Sequence, residues 1–130
     1  MRSVIIIIFL SLNVYADNVW TLVYKDTKNK TSFYMMLDDF KNINNKVRFW
    51  IMQSFEEPQP PEKYSYHSLK SLVQVDCSKM QIRFMAYSIY KNNNASGNAI
   101  FTKGQPFDWE DVKPNTINNA YLDIACKESN

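Results

Sequence analysis

A chain of 130 residues, 45% of them hydrophobic, has room for one domain with a modest core. Its formal charge of +2 offers no basic stripe for nucleic acid, and two glycines cannot build a Gly-rich phosphate loop. One histidine and two distant cysteines make no zinc cluster, so neither a metal nor a cofactor is implied.

The first segment, MRSVIIIIFLSLNVYA, places Arg2 before the apolar run Val4 to Leu12 and ends on the small residue Ala16. This pattern predicts a secretory signal peptide over residues 1–16, cleaved after Ala16, because the run is too short to span a bilayer. The domain is then residues 17–130. Cleavage removes Arg2 and no acid, which leaves the mature chain close to neutral. No cysteine stands near the cleavage site to carry a lipid anchor. Given a bacterial source, the expectation is a soluble exported protein, periplasmic or secreted or at the cell surface, with no transmembrane segment in the mature chain. Export also bears on Cys77 and Cys126: an even number of cysteines in an oxidising compartment predicts that they pair.

Along the mature chain, Val19 to Tyr24 is aromatic and β-branched and KDTKNK after it is polar, which predicts a strand and its hairpin loop. Thr31 to Leu37 is the returning strand, and NINN at 42–45 is a turn. Val47 to Phe55 is a third strand, expected to end at EEPQPP because proline cannot donate to a ladder. Ser65 to Asp76 and Met80 to Tyr90 flank Cys77-Ser78-Lys79, a connection short enough to require an antiparallel pair. KNNNASGN at 91–98 reads as the most flexible loop, with a short sixth strand at Ala99 to Thr102.

Asp108 to Asp111 resembles a capped single helical turn. Thr116 is placed to cap a helix in which Ile117, Ala120, Tyr121, Ile124 and Ala125 recur at helical spacing. Cys126 points nearly opposite the centre of that stripe, so either the helix stops there or the bridge attaches at its flank beside Leu122. The fold class is α+β: an antiparallel sheet of about six strands with a C-terminal helix on one face.

No catalytic constellation stands out. His67 is the only candidate base, and no serine is marked as lying on a strained turn near it. The acid pairs Asp38-Asp39, Glu56-Glu57 and Glu110-Asp111 sit at element ends, where solvated charge is ordinary. The chain is therefore expected to be non-enzymatic.

A sheet with one covered face needs apolar residues on that face alone, yet both faces here carry them. Strict alternation groups Arg48, Trp50 and Met52 against Val47, Phe49, Ile51 and Phe55. It likewise groups Arg83, Met85, Tyr87 and Ile89 against Ile82, Phe84 and Ala86. Unless a loop covers it or a bulge breaks the alternation, one face mixes bases with aromatics, the composition that anchors protein interfaces. Lys63, His67 and Lys70, on the segment leading to Cys77, form a second, basic candidate.

The order of these features resembles the surface-adhesin protein E family. The resemblance rests on Phe33, Tyr34, Asp38, Val47, Phe49, Ser68, Cys77 and Tyr90, then on Trp109, Val112, Pro114, Thr116, Ala120 and Cys126, and it runs from Trp20 to Cys126. It implies about six antiparallel strands whose concave face holds a C-terminal helix, tied by a disulfide between Cys77 and Cys126. It also implies binding of host extracellular-matrix or serum proteins, with the basic positions Lys63, His67 and Lys70 in the binding segment. The family's better-known members are lipoproteins, a pattern this chain departs from. The alternative to an adhesin is a soluble periplasmic accessory or inhibitor protein acting on an envelope partner. The candidate contact residues are Lys63, His67, Lys70, Arg83, Tyr87 and Trp50.

Overall fold

A computed structural model describes residues 20–104 and 106–129; the expected signal peptide and Val19 lie outside them. β1 (Thr21–Asp26) and β2 (Thr31–Met35) form the first hairpin, β3 (Lys41–Ile43) and β4 (Lys46–Gln59) the second. β5 (Tyr66–Asp76), β6 (Gln81–Tyr90), β7 (Ala99–Gly104) and β8 (Glu110–Asp111) follow, and α1 (Ile117–Glu128) closes the chain. All pairings are antiparallel, in the order β1-β2-β4-β5-β6-β7. β3 shares an edge of β4 with β2, and β8 shares an edge of β6 with β7.

Two hairpin turns are built alike. Asp26 ends β1 and accepts from Asn29 N at 3.1 Å; Asp76 ends β5 and accepts from Lys79 N at 3.0 Å. In each turn the fourth loop residue, Lys30 or Met80, takes a positive φ of 55° or 54°. An aspartate that bonds the turn's own backbone thus sets both registers. The β3–β4 turn uses another device. Asn44 and Asn45 take φ values of 54° and 66°, the left-handed pair required by the two-residue turn that matches strand twist. Only these two residues of NINN turn; Asn42 and Ile43 belong to β3.

Three expectations change. β4 runs through Pro58 to Gln59, because its pairing with β5 jumps from Ser54↔Ser68 to Gln59↔Tyr66 and asks no donor of the proline. Asp108 to Asp111 is not a helical turn. Glu110 and Asp111 pair with Ile82 and Gln81 as β8, and Val112 N bonds Met80 O at 3.0 Å. An open sheet edge satisfies this backbone, whereas one isolated turn carries the whole nucleation cost.

Nor is the loop at 91–98 loose. It turns through a short 3-10 segment, and Asn93 Nδ2 reaches Ser54 Oγ (3.0 Å) and Phe55 O (2.8 Å). Ala95 N donates to Ser68 Oγ at 2.8 Å, and the Ser68 hydroxyl donates to Asn92 O. Met52, Ser54, Ser68 and Tyr90 are buried at this end of the sheet.

The core lies between the sheet and α1. Val47, Phe49 and Ile51 of β4, Val73 and Val75 of β5, Ile82 of β6 and Met35 of β2 meet Tyr121, Leu122 and Ala125. Phe49 holds Phe40 edge-on at 5.6 Å and Tyr121 at 6.4 Å between ring centroids. Burying each large side chain stabilises the fold by roughly 1.5–3 kcal/mol. Thr116 caps α1, its hydroxyl accepting from Asn119 N at 3.2 Å. The helix continues past Cys126, so the Cys77–Cys126 disulfide attaches at its flank, one turn after Leu122.

Closing a loop of sequence separation 49 removes unfolded-state entropy worth about 4 kcal/mol in the chain-entropy model. Cys126→Ser is therefore expected to lower unfolding free energy by roughly 2–4 kcal/mol in a urea titration. An unchanged midpoint would show that packing alone holds α1. For Asp76, burial opposes the charge, but bonds from Lys79 N and Ser78 and the Lys46 ammonium at 3.8 Å prevail and hold its pKa below the ordinary carboxylate value. Its stabilising contribution is present above the unfolded pKa and is lost as pH falls through the lower native one. Asp76→Ala should cost about 1.5–3 kcal/mol at neutral pH, and the gap from wild type should narrow in acid melts.

Candidate functional site

β4 alternates without interruption from Lys46 to Ser54, so Val47, Phe49 and Ile51 face the helix and Arg48, Trp50 and Met52 the other side. β6 does not. Leu72 pairs with Ala86 and Val73 with Phe84, leaving Met85 as a bulge. The bulge reverses alternation, so Tyr87 and Ile89 join Phe84 on the helix-bearing side, while Arg83 stays on the outer one. The expected grouping of Arg83 with Tyr87 is overturned for this reason.

The outer face is ordered in cross-strand rows. Lys41, Arg48, Gln74 and Arg83 lie in register across β3, β4, β5 and β6. Trp50, Leu72 and Ala86 form the next row, and Met52, Lys70 and Ser88 the one after it. Arg83 donates from Nε (3.1 Å) and Nη2 (2.9 Å) to Gln74 Oε1, and its guanidinium lies 4.7 Å from the Trp109 ring centroid. Lys70 Nζ sits 4.7 Å from the Trp50 ring centroid. Both cations are therefore seated on aromatic faces, which orients them. Lys41 pairs with Asp39 at 3.6 Å, but among the described residues no carboxylate pairs with Arg48, Arg83 or Lys70, and Arg48 Nε is buried with no acceptor.

On the opposite side, α1 covers only part of the sheet. Beside it runs a groove of about 340 Å³ lined by Gln53, Leu69, Ser71, Phe84, Tyr87 and Phe107. Tyr64, Phe101, Tyr87 and Phe107 follow one another at 5.7, 6.1 and 6.5 Å between centroids. Ser71 and Tyr121 are each 1% exposed, and both hydroxyls lack a hydrogen-bond partner among the described residues. Burial pushes the Tyr121 hydroxyl pKa far up.

The sequence candidates are thus divided. Trp50, Lys70 and Arg83 share the outer face, and Tyr87 lines the groove. Strand alternation sets His67 on the side opposite Lys70, with its Nδ1 3.0 Å from Lys91 O. Lys63 lies in the turn before β5, its Nζ 5.5 Å from the Tyr64 ring. The proposed basic trio is not a cluster. Gln74 and Trp109, which fix Arg83, were not among the candidates, although the Arg48–Trp50 alternation pointed to the same face. Among the described residues no group of three His, Cys, Asp or Glu could hold a metal ion, and no helix is long and apolar enough to cross a membrane.

The family model for surface-adhesin protein E matches residues 20–127. The chain belongs to the surface-adhesin protein E family. Solved structures of Haemophilus influenzae protein E share the fold. One, in a second crystal form, aligns with a TM-score of 0.66 at 14% identity, covering 91% of this chain and 94% of the other. Another has the same TM-score at 15% identity and covers 91% of each chain. Protein E from non-typeable Haemophilus influenzae aligns at 0.57 with 15% identity, covering 89% and 82%. No curated protein sequence matches the chain. For this member of the adhesin E family, the disulfide and the C-terminal helix stand as the resemblance implied.

The unpartnered Tyr121 hydroxyl yields a test. Tyr121→Phe keeps the ring against Phe49 and removes a buried unsatisfied group, so unfolding free energy should stay level or rise by about 1 kcal/mol. A clear loss in thermal melts would show that the hydroxyl has a partner in solution.

Proposed function

We propose that this protein is an exported, non-enzymatic binding module that engages a protein partner through the outer face of its sheet. One observation carries the reading: the face left bare by α1 presents Trp50, Arg83, Lys70 and Trp109 in fixed, stacked positions. Aromatic and arginine side chains held in place before binding lose little entropy on docking, and they dominate interface energies. Membership of an adhesin family supports a protein ligand, and host extracellular-matrix and serum proteins are the first class to test. Export through a signal peptide at residues 1–16 belongs to the same reading.

A second reading keeps the face and changes the partner: a soluble periplasmic accessory or inhibitor protein acting on an envelope protein. It is favoured by Asp17 following Ala16 where a lipid-bearing cysteine would stand. Cell fractionation with protease accessibility of intact cells separates the two.

The exported protein, tested by biolayer interferometry against immobilised matrix and serum proteins, should bind at least one of them at micromolar concentration or tighter. Trp50→Ala should weaken that binding roughly 30-fold, as loss of an interface anchor does. Absence of binding together with protease-shielded, periplasmic protein would remove the adhesin reading. Binding untouched by Trp50→Ala would move the site off this face.

A further inference from the structure

The outer face specifies its partner's chemistry more closely, an inference that rests on that face being the docking surface. Among the described residues, no carboxylate forms an ion pair with Arg48, Arg83 or Lys70. Asp76, the buried acid on the same face, has its oxygens engaged by Ser78, Lys79 and Lys46. Asp111, opposite Gln81 on the same side, accepts from Gln81 Nε2 at 3.1 Å, so these acids are engaged elsewhere and the three cations are left without an ion-pair partner among the described residues.

Its geometry excludes a single small anion. Arg48 and Arg83 flank Gln74 on either side, two strand spacings apart, about 10 Å at the backbone. Lys70 lies four residues along β5 from Gln74, about 13 Å away. One phosphate or sulfate cannot reach all three, so the anion has to be a chain with charges distributed along it. Between the arginine row and Lys70 lies the apolar row of Trp50, Leu72 and Ala86. A sulfated polysaccharide brings no apolar group to cover that row, whereas a polypeptide can.

We propose that this face binds an acidic polypeptide segment of the partner protein whose Asp and Glu carboxylates bracket an apolar side chain. The carboxylates meet Arg48 and Arg83 on one side and Lys70 on the other, and the apolar side chain seats on Trp50 and Leu72. Gln74 and Trp109 hold Arg83 in place beforehand, its Nε and Nη2 turned to Gln74. This leaves the rest of the guanidinium fork for a carboxylate, the geometry arginine suits.

The test uses fluorescence anisotropy with a labelled Glu-Asp-Glu-Leu-Phe-Glu-Asp-Glu peptide. Its Gln/Asn analogue, with every acid replaced by its amide, and heparin serve as the comparison probes. The acidic peptide should bind, the amide analogue at least tenfold more weakly, and affinity should fall as salt rises from 50 to 300 mM. Arg48→Gln/Arg83→Gln should weaken peptide binding tenfold or more. Arg83→Lys, which keeps charge and loses the fork, should weaken it less. Circular dichroism melts check that the variants fold, and the peptide-side substitutions test the proposal independently of any variant. Equal binding of the amide analogue, no peptide binding, or binding of heparin alone would each overturn it. The earlier reading has its own readout. If a protein partner binds and Trp50→Ala weakens it while the peptide fails, that reading survives and the acidic segment falls. If the peptide binds but no protein partner does, the adhesin reading falls and this face remains an acidic-peptide site.

Discussion

The position of α1 on one side of the sheet decides what every other surface can be. Phe49, Tyr121 and Leu122 supply the apolar contact, and the Cys77–Cys126 bridge fixes the helix end to the β5–β6 turn. A twelve-residue helix is marginal in isolation and gains its stability from such an apolar stripe. Within the predicted stripe Tyr121 and Ala125 are buried, with Leu122 beside them, while Ile117 and Ile124 are partly buried against the same core. Because α1 occupies only part of its face, the groove along Phe84, Tyr87 and Phe107 stays open. Because it occupies only one face, no helix of the described residues covers the side bearing Trp50 and Arg83.

That bare side is neither a polar solvent face nor an uncovered core. Lys70 and Arg83 lie on indole rings, which covers apolar area with cationic heads and keeps both in fixed places. At one end the face is closed by the loop at 91–98, whose Asn93 and Ala95 find acceptors on Ser54 and Ser68. These serines lie 39 and 27 residues away from their partners in sequence, so a run of asparagines reads as loose when viewed locally. The same limit explains β8, where residues with the spacing of a helical turn pair instead with a strand edge remote in the chain.

Periodicity was legible wherever a strand was regular. Alternation along Val47 to Met52 assigned every residue to its face, and the helical spacing after Thr116 located α1 with its cap. It failed in β6, where the single extra residue Met85 moved Tyr87 to the other side from Arg83. A bulge leaves no local mark when the residue inserted is as strand-compatible as methionine in this run. The basic trio is split differently: Lys63, His67 and Lys70 are near in sequence, but the odd spacing between His67 and Lys70 on β5 sets those two on opposite sides of the sheet.

By itself the sequence determined the α+β class, the antiparallel hairpins, the C-terminal helix and the pairing of Cys77 with Cys126. These follow from local period, turn chemistry and a count of two cysteines. Only the tertiary structure decided which candidates share a surface. That choice depends on register, on the bulge at Met85 and on contacts such as Arg83 with Gln74 and Trp109, which join residues 9 and 26 positions apart. Side-chain neighbours across strands are set by how the whole sheet is aligned, and no window along the chain contains that alignment.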